Sequence, residues 1–244
     1  MSCPSRPYEN HPERHMAAAA RHYNAPGPSL RNYIFISIPK TGTTTLSELY
    51  LGFERGSMPV TVHGRDHQGY NVYQALANSS EYSLITPEQL ANRFIFSFVR
   101  NPWDRVASLF YHRAHMHQCD HHFEKFVEKY QNASDFQVSP GDYKNQIDWL
   151  KDPDTGEIAV DFIGRFENYK EDVNYVINKI TDGKMCYDNL PKSCGDTPAN
   201  NRNPKTLLPI HKSRPHYREF YSSSSRDIIY EKCKEDIEYF DYEF

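Results

Sequence analysis

The stretch "YIFISIPKTGTTTLSELYL", Tyr33 to Leu51, decides the fold. Tyr33 to Ile38 is a compact apolar run of strand type, and Thr43 to Leu51 has helical spacing, with Leu46, Leu49 and Tyr50 on one side. The tight turn between them carries one lysine, one glycine and four threonines. A helix N-terminus presents unpaired backbone N–H groups and a partial positive charge. Set after a strand and a glycine turn, it makes a cradle for an anion. Gly42 lets the backbone approach a ligand closely, Lys40 supplies a full charge, and Thr43, Thr44 and Thr45 add hydroxyl donors. A helix start with threonine caps is the plain alternative. A nucleoside triphosphatase loop is excluded: it needs Gly-x-x-x-x-Gly-Lys-Ser/Thr, whereas here Lys40 precedes Gly42 and no glycine lies upstream at that spacing. The cradle suits a terminal group of lower charge than a γ-phosphate.

Working outward, "FIFSFVRNPWDRVASLF" repeats the strand–turn–helix pattern. Phe94 to Val99 is a buried-strand segment, Asn101 is placed to cap a helix, and Pro102 suits its first position. Val106, Leu109 and Phe110 of that helix face inward. Helical segments are expected at Phe123 to Tyr130 and Tyr143 to Leu150, a turn at Asp152 to Gly156, and a third strand at Val160 to Ile163. Tyr169 to Ile180 reads as an amphipathic helix. A closing helix, Tyr217 to Phe240, places Ile229, Cys233, Ile237 and Phe240 on one stripe. Residues 59–62 read as a short strand and 71–77 as one or two helical turns. Strands separated by helices predict an α/β fold with a P-loop-like, mainly parallel central sheet flanked by helices. Ligands of such sheets sit beyond the carboxyl ends of the strands, which singles out the turns at residues 39–45 and 100–104.

The chain has 244 residues, enough for a sizeable core. It divides into an N-terminal arm, residues 1–29, expected to be mobile from its Pro and Ala content, and one domain, residues 30–244. The formal charge of −4 gives no general pull toward nucleic acid or anionic membrane, so any anion site is local. No apolar run approaches the ~20 residues of a membrane span, and the N-terminus has no signal-peptide core. Five scattered cysteines read as free thiols in a reducing compartment, with a Cys186–Cys194 bridge as the alternative.

The turn "PKTGTT" resembles the 5′-phosphosulfate loop of sulfotransferases that use 3′-phosphoadenosine-5′-phosphosulfate (PAPS). The resemblance implies that Lys40, Thr41, Gly42, Thr43 and Thr44, with Thr45 close by, grip the phosphosulfate end of the donor. "RNPWDRVAS" resembles the second half of the family signature, an arginine at a strand end and a serine eight positions on. That implies a 3′-phosphate site at Arg100 and Ser108. The chemistry agrees, since an arginine fork binds phosphate bidentately; pairing of Arg100 with Asp104 or Glu48 is the competing role. "FEKFVEKY", "QIDWLKDPDTGEIAVDFIGRFENY", "KSRPHYREFY" and "EDIEYFDYEF" resemble successive blocks of the carbohydrate-type branch, found in Golgi and bacterial members. Arg165 and Glu167 are read as a structural ion pair. His211 stands where related chains often carry an asparagine.

The resemblance implies PAPS as donor, 3′,5′-adenosine bisphosphate (PAP) as product, no metal, and an acceptor hydroxyl on a sugar or glycan. A small hydroxylated metabolite and a catalytically silent nucleotide-binding module are the alternatives. The acceptor proton needs a base, and histidine titrates in the useful range. His63, where related chains also tend to show a histidine, is the first candidate and His67 the second; a surface-loop histidine is the bland reading of each. Lys40 is expected to stabilise charge on the departing phosphate. Five Lys/Arg and no acid occur from Asn200 to Arg218, and Lys212 and Arg214 are the expected ligand contacts in that patch. The run "HRAHMHQCDHH" is rich in ligand types but meets no standard zinc spacing. These features predict a soluble, cytoplasmic protein, or a Golgi-lumenal one if an anchor has been removed. They do not fix the oligomeric state.

Overall fold

A computed structural model describes residues 33–46, 92–115, 122–132, 142–152, 154–183 and 215–244. In chain order the elements are β1 (Tyr33–Ile36), a helical turn α1 (Thr43–Thr45), β2 (Phe94–Val99), α2 (Pro102–His115), α3 (Phe123–Gln131), β3 (Phe162–Arg165), α4 (Tyr169–Ile180), α5 (Ser223–Lys232) and α6 (Lys234–Phe240). Short 3-10 turns occupy Ile147–Trp149, Phe166–Asn168 and Tyr217–Phe220. The expected strand at 59–62, the helical turns at 71–77, Cys186 and Cys194 lie outside the described residues.

The strands form one parallel sheet in the order β1-β2-β3. Phe35 stands opposite Phe96, and Phe98 opposite Gly164. One face is aromatic: Tyr33, Phe35, Phe96, Phe98 and Phe162 pack with Tyr169, Val173, Val176 and Ile177 of α4. On the other face Ile34, Ile36, Ile95 and Val99 are fully buried. Burial on both faces explains why these strands read as continuous apolar runs. A second core joins Trp103, Val106 and Phe110 of α2 to Phe126 and Tyr130 of α3 and to Ile229, Cys233 and Ile237. The α/β architecture expected from the sequence is therefore present.

Three boundaries differ from expectation. The third strand runs Phe162–Arg165, two residues later than read. Asp161 opens its ladder, with its N–H donating to Ile95 O at 2.6 Å and its carboxylate accepting from Ile95 N at 2.7 Å. The segment 143–150 holds a 3-10 turn at Ile147–Trp149 in place of a helix. The closing helix is broken at Cys233 (φ −110°, ψ 21°) into α5 and α6. Its apolar stripe survives the break: Ile229, Cys233, Ile237 and Phe240 are all buried.

Candidate active site

Both turns singled out in the sequence lie at the carboxyl ends of neighbouring strands, β1 and β2. In the first, Lys40 (φ 71°) and Gly42 (φ 83°) both take left-handed backbone. For lysine that conformation costs energy and needs surrounding support. Two arginines supply it. Arg105 Nε donates to Pro39 O at 3.0 Å, and Arg100 Nη1 donates to Lys40 O at 3.1 Å. Because a trans peptide sets its N–H opposite its C=O, the N–H groups of Lys40 and Thr41 point away from the two guanidiniums. Tyr169 Oη donates to Gly42 O at 3.0 Å and fixes the turn from α4. The hydroxyls serve the fold more than expected. Thr41 Oγ1 donates to Ile38 O at 2.9 Å, and Thr41, Thr43 and Thr45 are all buried. The Thr44 side chain lies outside the described residues.

The second turn is Arg100 and Asn101, the joint between β2 and α2. Asn101 caps α2 as expected: its Oδ1 accepts from Trp103 N at 3.1 Å. Arg100 Nε and Nη2 both donate to the Asp104 carboxylate at 2.7 Å, so the pairing weighed from the sequence is formed. With Nη1 on Lys40 O, three of the five guanidinium N–H groups are used and two remain for a ligand. The Phe166 ring supports the guanidinium from one face, 4.0 Å from its centroid.

Arg100, Asp104 and Ser108 line one wall of a cavity of about 430 Å³. Phe166 and Glu167 form part of its lining, and Pro215, His216, Tyr217 and Phe220 contribute a further wall. Its volume lies within the roughly 300–1,000 Å³ of small-molecule sites. Burial pushes the Tyr217 hydroxyl above its usual range, with Arg218 opposing. Arg100 is thus shared: one edge meets the threonine-rich turn and its other surroundings form the cavity.

Sequence comparison with family models matches residues 31–243 to a model described as the sulfotransferase family. The chain belongs to the sulfotransferase family. A search of curated proteins gave no match. Membership gives sulfuryl transfer as the general reaction, and the structure brings together Lys40, Gly42, Arg100 and Ser108 of the residues expected for it. His63, His67, Lys212 and Arg214 lie outside the described residues. Arg165 and Glu167, expected to pair, each have other partners. Arg165 donates to Phe240 O and lies 4.9 Å from the Tyr242 ring centroid. Glu167 accepts from Asn101 N at 2.6 Å and from Tyr242 Oη at 3.2 Å. His112 and His122 are exposed, the other histidines and Cys119 of the run are not described at side-chain level, and no group of potential metal ligands occurs among the described residues. None of the described helices is long and apolar enough to cross a membrane.

Sequence reasoning missed Arg105 and Gln146. Arg105 is buried under the first turn and donates to Pro39 O and, at 2.9 Å, to Lys144 O. Gln146 holds the main chain of Arg100. The adjacency of Arg105 to the "RNPWD" motif was a signal for the first. Nothing in the local sequence marks the second.

Proposed function

We propose that the chain is an O-sulfotransferase that carries the sulfuryl group of PAPS to a hydroxyl of a sugar or glycan. The observation that carries this reading is the hydrogen bond from Arg100 to Lys40 O, which ties two turns suited to anions while Arg100 and Ser108 face a nucleotide-sized cavity. Arg100 and Ser108 take the 3′-phosphate. Lys40, the N–H groups of Thr41 to Thr45 and the close approach at Gly42 take the phosphosulfate. The acceptor oxygen attacks sulfur, the bond from sulfur to the bridging oxygen breaks, and PAP leaves with that electron pair. His63, or His67 in its place, takes the acceptor proton. Lys40 neutralises charge growing on the bridging oxygen, where electrostatic stabilisation counts most. Lys212 and Arg214 supply further charge to the donor; Pro215, the next residue in the chain, lines the cavity.

The test is an acceptor screen with isotopically labelled PAPS, read by mass spectrometry for an added sulfuryl group, alongside a melting curve with PAP. A sulfated sugar and a raised Tm are expected. No sulfated product from any acceptor, together with no thermal shift by PAP, would refute the reading.

A further inference from the structure

The main chain of Arg100 has an unusual holder. Arg100 lies just past the end of β2, where the ladder no longer supplies partners to its N–H and C=O. Gln146, 46 residues away in sequence and fully buried, supplies both. Arg100 N donates to Gln146 Oε1 at 2.9 Å, and Gln146 Nε2 donates to Arg100 O at 2.8 Å. The same Nε2 donates to Asp236 Oδ2 at 3.2 Å. These partners select one orientation of the amide: Arg100 N requires an acceptor, and Arg100 O and Asp236 require a donor. Asp236, fully buried on α6, holds the rest of the segment by accepting from Gln146 N and Ile147 N, each at 2.8 Å. A buried carboxylate and a buried amide are costly unless fully satisfied.

We propose that Gln146 is a positioning residue of the anion site, oriented by Asp236: its amide fixes the Arg100 main chain and so the place where the guanidinium meets a 3′-phosphate. This rests on the nucleotide reading given above. The side chain of Arg100 is set by Asp104 and Phe166 and its main chain by Gln146, so the two free N–H groups have one aim. Pre-organisation of this kind raises affinity by removing the ordering cost of binding.

The experiment compares binding of PAP and adenosine 5′-phosphate, which lacks the 3′-phosphate, by calorimetry on wild type, Arg100→Ala, Gln146→Leu and the double variant. Charge-assisted hydrogen bonds make the wild-type preference for PAP about tenfold or more. Gln146→Leu is expected to remove most of that preference while adenosine 5′-phosphate binding changes less than about twofold. The double variant is expected to lose no more than Arg100→Ala alone. Gln146→Met, closer in shape, serves if the leucine variant folds poorly. A variant that keeps the wild-type PAP preference overturns the inference. So does loss of both nucleotides with a collapsed Tm in both variants, which would assign Gln146 to the fold alone. Wild type that binds neither nucleotide would instead remove the nucleotide reading itself, and this inference with it.

Discussion

Replacing Gly42 by alanine strains both strand-end turns at once. At φ 83° an L-residue pays about 1–2 kcal/mol for left-handed backbone. The new Cβ would lie 2.8 Å from Tyr169 Cε2 and 3.0 Å from Phe166 Cδ2. Neither ring moves easily. Tyr169 is fully buried in the aromatic face of the sheet and bonds to Gly42 O, and the Phe166 ring lies under Arg100. Relief therefore shifts the turn, and overpacking of this kind costs about 1–3 kcal/mol. Together the two effects destabilise by about 2–5 kcal/mol, a large part of the ~5–15 kcal/mol available to a domain. With a urea slope near 3 kcal/mol/M, the midpoint falls by roughly 0.7–1.7 M. Displacement of Phe166 also moves Arg100, so PAP affinity is expected to fall alongside stability. Urea titration followed by tryptophan fluorescence, repeated on Tyr169→Leu and the double variant, measures the clash as a coupling energy. An alanine variant within about 0.5 kcal/mol of wild type, or strict additivity in the cycle, would refute the close approach at Gly42.

Four further outcomes are expected. Gly164→Ala sets a Cβ on β3 2.5 Å from Phe98 Cε1 of the neighbouring strand, and should cost about 1–3 kcal/mol in a denaturant titration without altering the ratio of PAP to adenosine 5′-phosphate affinity. If Lys40 acts as proposed, with its charge mattering most in the transition state, Lys40→Ala should depress kcat much more than donor affinity; an equal loss in both would contradict that role. Burial pushes the Cys233 thiol from 9.0 up to about 12, so it should resist alkylation at pH 8 in the folded chain. A raised folded value means that its contribution to stability is complete below about pH 9 and is lost as pH climbs toward 12. The stability difference between wild type and Cys233→Ala should shrink over that window, and a difference that stays flat counts against the burial argument.

What could be read from the sequence was local. Phe94–Val99 and Tyr169–Ile180 were placed at their observed bounds because apolar runs and helical periodicity are properties of neighbouring residues. The cap at Asn101 and the glycine turn at Gly42 were legible for the same reason. The errors came where distant partners decide. Val160 is buried and β-branched, yet the ladder begins at Asp161, whose carboxylate takes the Ile95 N–H. Residues 143–150 carry helical spacing, but the Asp236 carboxylate claims the N–H groups of Gln146 and Ile147. The chain turns there in a short 3-10 element.

The candidate site divides along the same line. The groups we propose to meet the donor, Lys40, Gly42, Arg100 and Ser108, sit in two short motifs whose chemistry can be read residue by residue. The groups that aim them come from elsewhere: Arg105 onto Pro39, Tyr169 onto Gly42, Phe166 beneath Arg100, and Gln146 on its main chain. One sequence carries no record of such pairings. On the proposed reading they would set the strength of the site, because a guanidinium on a loose joint would lose part of its binding energy to ordering. The Asp104 carboxylate sharpens the point. It takes the side-on edge of Arg100 and adds negative charge close to where a phosphate would lie. Its presence favours anion binding only if fixed direction is worth more than the repulsion it adds. The buried amide of Gln146 and the ring of Phe166 make that balance reasonable, since they hold the same guanidinium from two further sides.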